Sequence, residues 1–214
     1  MRIEPMNGLE DVLLIHPDLH EDDRGYFYEV FNEKEFNEKT EGKYDFHALQ
    51  ENESKSCKGV FRGLHFQKPP YEQAKLVRVL KGAVVDIAVD IRKDSKTFGN
   101  WVAALLSDTN RDQFFIPRGF AHGFIVLREA VFEYKCDNFY NKESDGGIRW
   151  DDENIANNVE IVRGVNVENV RGVYEPVSKY PLKDYISHLM KTSEIENLIL
   201  SEKDKNRITT LKDL

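Results

Sequence analysis

The chain has 214 residues, a formal net charge of −8, 40% hydrophobic and 11% aromatic residues. This is an ordinary globular composition, long enough for one sizeable domain and marginal for two. The acidic balance and the lack of any basic run exclude a nucleic-acid partner, and an anionic ligand must be held by local Arg and Lys against the overall field.

Residues 10–16 read as a short strand stopped by Pro17. Residues 20–23 form a charged turn, and residues 26–31 alternate loosely enough for a strand. Asn32 suits the N-cap of a short helix through Glu38. Residues 43–52 alternate again, and residues 54–58 read as a loop. Residues 74–80 are a strand with Lys75, Val77 and Val79 on one face. Lys81-Gly82 signals a turn, and residues 83–91 form the return strand. There Val85, Ile87, Val89 and Ile91 share one face, while Asp86 and Asp90 share the other with Val84 and Ala88. Further strands are expected at 100–107, 113–116, 121–127 and 130–136, with a turn at 117–119. Short strands separated by Gly, Pro, Asn and Asp turns, with almost no helix between them, indicate an antiparallel sandwich or barrel. Near the C-terminus, Leu182, Tyr185, Ile186, Leu189 and Met190 fall on one helical stripe, expected to pack on the barrel.

Cys57 and Cys136 are the only cysteines and form no C-x-x-C motif, so free thiols in a reducing compartment are expected. The N-terminal residues lack the apolar run of a signal peptide, and no stretch has the length of a membrane span. A cytoplasmic protein without a membrane partner is the expectation.

The stretch G-V-F-R-G-L-H-F-Q (59–67) places Arg62 and His65 among apolar neighbours. A buried guanidinium asks for an anion, and phosphate fits its planar fork. Histidine can take and return a proton near neutral pH. Together they suggest acid–base chemistry on a phosphorylated substrate; the ordinary alternative is a strand with one core His and one surface Arg. Lys75, if it points inward, needs an anion or a developing negative charge. P-R-G-F-A-H supplies His122 with the spacing of a cupin second motif. The His-x-His pair and Glu of a cupin metal site are incomplete here, with Glu72 the one carboxylate near His65. Asp86 is either a solvent-facing polar position or the partner that fixes a histidine tautomer. Tyr134 and Tyr140 are core aromatics, or a proton donor and a nucleobase platform.

The motifs R-G-L-H-F-Q, Q-A-K-L-V-R-V-L-K-G, V-D-I-A-V-D-I-R, F-G-N-W, P-R-G-F-A-H-G-F, E-Y-K-C-D-N-F-Y and G-G-I-R-W-D-D occur in order. With D-R-G-Y-F-Y-E and L-Q-E-N-E-S-K-S, they resemble the dTDP-4-dehydrorhamnose 3,5-epimerase family over roughly residues 10–152. The resemblance implies a mainly β, cupin-type jelly-roll barrel with a few short helices and a helical segment near the C-terminus. It implies inversion of carbon 3, carbon 5 or both in a 4-keto-6-deoxy sugar nucleotide, with no metal and no cofactor. His65 matches the general base, Tyr134 the general acid, and Lys75 the residue at the enolate oxygen. His122 with Asp86 matches a second His–Asp pair. Arg62, Gln50 and Asn52 match diphosphate and sugar contacts, and Tyr140 a position near the nucleobase. Arg24, Phe27 and Glu29 match nucleotide contacts supplied by the neighbouring subunit of a homodimer. L-S-E-K-D resembles the family's S-x-K-D, so Asp204 matches the partner of the base. The chain departs from the pattern after Asp152, where Glu153 replaces a Pro and no W-P follows. One domain over residues 1–214, with an unusual insertion at about 153–199, is the expected organisation. A metal-dependent cupin oxygenase or isomerase, and a non-catalytic sugar-nucleotide binding module, are the competing readings.

Overall fold

The structure, a computed structural model, describes residues 1–155 and 181–214. Among these residues eleven strands are formed: β1 (Arg2–Met6), β2 (Leu9–His16), β3 (His20–Asp22), β4 (Gly25–Phe27), β5 (Gln50–Ser56), β6 (Phe61–Gln67), β7 (Lys75–Asp90), β8 (Trp101–Ser107), β9 (Gln113–Ile116), β10 (Phe120–Cys136) and β11 (Asp145–Gly147). The helices are α1 (Glu33–Lys39), α2 (Leu182–Thr192) and α3 (Glu202–Lys205).

Two long strands organise the molecule. β7 and β10 pair antiparallel from end to end, and each changes its outer partner midway. β7 bonds to β9 through residues 75–78 and to β8 through residues 83–89. β10 bonds to β6 through residues 122–125 and to β5 through residues 130–136. The path β1-β2-β9-β7-β10-β6-β11 is therefore continuous, and β7 and β10 carry it from one layer of the jelly roll into the other.

The crossing corrects two expectations. Lys81-Gly82 does not reverse the chain, because β7 runs straight through it, and β10 has no break near residue 128. Both strands bend through shifts of register between residues 126 and 132 of β10. Gly82 has φ +89°, and a Cβ there would stand 2.0 Å from the Glu129 carbonyl oxygen, so the bend admits only glycine. Smaller differences lie outside the crossing. β1 pairs with β2 as an extra edge, and the second predicted strand is cut to Gly25–Phe27 in a separate hairpin with β3. β5 starts at Gln50 and runs to Ser56, taking in part of the expected loop.

The alternation of side chains divides the core into layers. Val77, Val79, Val84, Ala88, Val102, Ala104, Leu106, Phe114, Phe124 and Phe132 fill the interior between the two sheets. Outside one sheet, Phe36, Phe46 and Phe115 pack ring to ring at 5.0–5.8 Å. α1 supplies Phe36, and the Asn32 side chain caps the helix by accepting from the Glu35 amide at 3.0 Å. Outside the other sheet, α2 buries Leu182, Tyr185, Ile186 and Leu189, and Tyr185 lies 4.9 Å from Trp101. The predicted stripe therefore packs on the barrel, with Met190 at its partly buried edge. Of the expected 153–199 insertion, residues 156–180 lie outside the described residues. Past α2, Ile199 bridges Val60 in parallel, bringing the C-terminal segment beside β6. Among the described residues no helix is long and apolar enough to cross a membrane.

Candidate active site

The site forms where β6 and β10 come unusually close. A Cβ on Gly63 would stand 2.5 Å from the Gly123 Cα, and one on Gly123 would stand 2.7 Å from the Arg62 carbonyl oxygen. Two facing glycines permit that approach, and beside it His65 pairs directly with His122 across the ladder. The glycine inside R-G-L-H thus serves packing as well as sequence spacing.

Each histidine has its own carboxylate. His65 Nε2 lies 2.6 Å from Asp204 Oδ1. An ionised carboxylate only accepts, so Nε2 carries the hydrogen, and in the neutral ring Nδ1 is the nitrogen with the lone pair. Ser201, the N-cap of α3, clasps the same aspartate: its Oγ accepts from the Asp204 amide at 3.1 Å and donates to Oδ2 at 2.9 Å. Burial acts to raise the Asp204 pKa, but the bond to His65 and its charge outweigh it, so the carboxyl stays below the usual range. Deeper in the barrel, His122 Nε2 lies 2.8 Å from Asp86 Oδ1, with both side chains buried. Burial pushes His122 down and Asp86 up, and their mutual bond opposes both shifts.

Lys75 opens β7 and is half-buried, enclosed by the cavity walls. Burial pushes its ammonium down, against the opposing pull of the neighbouring Cys136, Asp86 and Asp145 side chains. Its Nζ lies 5.9 Å from the centre of the Tyr134 ring. Burial raises the Tyr134 phenol, so it is a protonated donor at neutral pH.

These groups share one space. A cavity of about 430 Å³ is lined by Arg62, His65, Lys75, His122, Tyr134 and Asp204, with Phe124, Phe132, Ile199 and Leu200 as apolar wall. A second cavity of about 270 Å³ brings in Gln50, Asn52, Tyr140, Asp145 and Lys203, and His65, Lys75 and Tyr134 line it too. Gln50 donates to Asn52 at 2.9 Å and accepts from the Tyr140 amide at 2.9 Å, which fixes the three as a unit. Arg62 corrects an expectation. It is exposed at the rim rather than buried, and donates to Ser56 Oγ at 3.0 Å. Its side chain lines the cavity yet reaches solvent at the mouth, so no buried anion is needed to hold it.

Arg24, Phe27 and Glu29 do not reach this space. They lie on or just after the exposed β3–β4 hairpin, with Phe27 71% exposed and Arg24 paired to Asp22. Among the described residues, no three His, Cys, Asp or Glu side chains gather as metal ligands would. Three lining groups were missed in the sequence. Asp145 accepts from the Tyr140 hydroxyl at 3.0 Å and pairs with Lys203, and Ser201 braces Asp204. The S-x-x-D spacing of a capped helix start was the signal for Ser201, and Lys203 stands inside the S-x-K-D string without a role drawn from it; nothing local marks Asp145.

A sequence profile of the dTDP-4-dehydrorhamnose 3,5-epimerase family matches residues 7–213. The Escherichia coli K12 dTDP-4-dehydrorhamnose 3,5-epimerase is 54% identical over 149 residues, covering 69% of this chain and 80% of that protein. The enzyme of the same name from Methanothermobacter thermautotrophicus is 49% identical over 150 residues, covering 70% of this chain and 79% of its own. Among solved structures, the dTDP-4-dehydrorhamnose 3,5-epimerase of Elizabethkingia anophelis superposes with a TM-score of 0.73 at 43% identity, covering 100% of this chain and 97% of the other. The dTDP-6-deoxy-D-glucose-3,5-epimerase of Legionella pneumophila, solved with dTDP-4-keto-L-rhamnose, gives 0.75 at 36% identity, covering 99% and 94%. The profile match runs past Asp204, so the segment that completes the His65 pair lies within it. The chain belongs to the dTDP-4-dehydrorhamnose 3,5-epimerase family and is a sugar-nucleotide epimerase, an isomerase built on a cupin-type jelly roll.

Proposed function

We propose that the enzyme inverts carbon 3, carbon 5 or both of a nucleotide diphosphate 4-keto-6-deoxy sugar. The observation that supports this best is the shared lining: His65, Lys75 and Tyr134 open onto the same two cavities. A hydrogen on a carbon beside the carbonyl leaves as a proton to His65 Nδ1. The C–H electron pair passes into the ring and the charge collects on the carbonyl oxygen as an enolate. The Lys75 ammonium stabilises that oxygen, as a preorganised cation does in an oxyanion hole. The Tyr134 hydroxyl returns a proton to the carbon from the other face, closing the inverted centre. Asp204 holds the imidazole and stabilises the imidazolium, and His122 with Asp86 contacts the sugar from the cavity floor. Arg62, exposed at the rim, suits the diphosphate, with Gln50, Asn52 and Tyr140 towards the sugar and base. No metal and no redox cofactor takes part in this scheme.

The nucleotide site is completed in a homodimer. Arg24, Phe27 and Glu29 lie outside their own cavity, and an exposed Phe beside an Arg and a Glu suits a nucleotide held by a second copy. We read residues 1–214 as one cytoplasmic epimerase domain, since α2 packs into the same apolar cluster as β6 and β8. The reading is tested by incubating the enzyme in deuterated water with a panel of 4-keto nucleotide sugars and following the hydrogens beside the carbonyl by NMR. Wash-in that survives chelation supports it; loss of wash-in on chelation, or binding without any wash-in, contradicts it.

A further inference from the structure

Behind the His65–Asp204 pair lies a second cation. Arg207 follows α3, and its side chain is only 10% exposed. Its terminal nitrogen Nη2 is 3.7 Å from Asp204 Oδ1, the oxygen that His65 Nε2 meets at 2.6 Å. Nε and Nη2 of Arg207 are buried and have no hydrogen-bond partner among the described residues. The guanidinium packs against β11: a Cβ on Gly147 would stand 2.5 Å from its Nη1 and 2.6 Å from its Cζ. Gly147 is the residue that pairs with His65 across the β11–β6 ladder. The arginine therefore sits one strand away from the imidazole, in room made by a glycine, and faces the imidazole's own carboxylate oxygen.

A buried guanidinium costs free energy unless it offsets a nearby negative charge, and among the described residues Arg207 forms its ion pair with Asp204 Oδ1. We propose that Arg207 is a positioning residue for the base: it shares Asp204 Oδ1 with His65, holding the carboxylate in place and limiting how far that carboxylate favours the imidazolium. The other charged or titratable groups around His65 are Lys75 on β7, His122 and Tyr134 on β10, Asp145 on β11, Lys203 on α3 and Arg62 on its own strand. Arg207 differs from them in acting through the carboxylate and not across the substrate space. The inference rests on the reading of His65 as the base.

The test follows the His65 imidazole by NMR titration, and kcat/KM as a function of pH, in the wild type, Arg207→Met, Arg207→Lys and His65→Asn. Arg207→Met is expected to raise the His65 titration and the acid limb of kcat/KM together by about 0.5–1 unit, as Coulomb's law gives for charges roughly 6 Å apart in a partly hydrated site. On the acid side of the limb, kcat/KM then falls roughly three- to tenfold. Arg207→Lys, which keeps the charge, is expected to leave both near the wild-type position. An unmoved titration and limb in Arg207→Met, whatever happens to the plateau, overturns the proposal and leaves Arg207 a packing residue. Should the Met variant not fold, Arg207→Gln gives the same reading. If His65→Asn keeps its proton exchange, the base assignment has failed, and the NMR titration still reports separately whether Arg207 is coupled to His65.

Discussion

Lys75 and Asp86 lie eleven positions apart on one strand, yet both face the barrel interior and feel each other's charge. On a regular strand an odd separation sends two side chains to opposite faces. The slip at the bend reverses the alternation: residues 77 and 79 point inward before it, residues 84 and 88 after it. The active site therefore depends on a backbone irregularity between Lys75 and Asp86. Gly82→Ala is expected to destabilise the fold by roughly 3 kcal/mol or more, since Cβ and the Glu129 carbonyl cannot share the space. Urea titration measures the loss; a midpoint within error of wild type contradicts it.

Lys75 should be a residue that the free protein would be more stable without. Its ammonium is depressed by burial, so the folded state disfavours the charge. That cost is full below the folded pKa and vanishes as pH rises past the ordinary lysine value. Lys75→Met is expected to raise stability by about 1 kcal/mol at pH 7, with the gain shrinking above pH ~10, while turnover falls roughly a hundredfold or more. Thermal melts at pH 7 and pH 10.5, paired with activity, check both halves.

Asp90 should be the opposite kind of carboxylate. It is fully buried, and accepts from the Arg92 backbone and guanidinium and from the Ser95 and Thr97 hydroxyls at 2.6–3.0 Å. Burial opposes its charge, but these donors outweigh it and its pKa is lowered. Its stabilisation is present above the unfolded carboxylate value of about 4 and is lost as pH falls through the folded value. Asp90→Asn is expected to cost roughly 3 kcal/mol at pH 7 and to flatten the loss of stability below pH ~4. Urea midpoints from pH 7 to pH 3 give the comparison.

The two thiols should separate cleanly. Cys57 is exposed, whereas Cys136 is buried and its thiol is pushed up to about 11. At pH 8 the Cys136 thiolate is on the order of a thousandth of the total, and burial slows access further. Iodoacetamide at pH 8 is expected to modify one thiol per chain quickly, and mass mapping should find it on Cys57. Comparable labelling of Cys136 in the folded protein contradicts this.

What could be read from sequence was local or carried by motif. The Asn32 cap, the α2 stripe and the antiparallel class follow from periodicity and turn chemistry, and each is present. The R-G-L-H motif and the S-x-K-D string brought His65 and Asp204 together although 139 residues separate them. What failed was tertiary. Lys81-Gly82 has turn residues, but the strand bends there instead of reversing, because its whole length can pair with β10. Arg62 sits in an apolar run but opens to solvent at the cavity rim, because β6 does not alternate regularly: Phe61 and Leu64 are both buried, and its pairing with β10 shifts register there. Asp145 reaches the site through β11, whose placement no local pattern encodes, whereas Lys203 comes with the string that carries Asp204.

The central claim is that His65 and Tyr134 work on opposite faces of one bound sugar. It is tested most directly by measuring, in the same deuterated reaction, both isotope wash-in beside the carbonyl and yield of the inverted epimer, for wild type, His65→Ala and Tyr134→Phe. The account predicts both signals in the wild type and neither in His65→Ala. In Tyr134→Phe it predicts wash-in without inversion, because the imidazole can return the deuteron only to the face it came from. Wild-type inversion by Tyr134→Phe, or wild-type wash-in by His65→Ala, would contradict it.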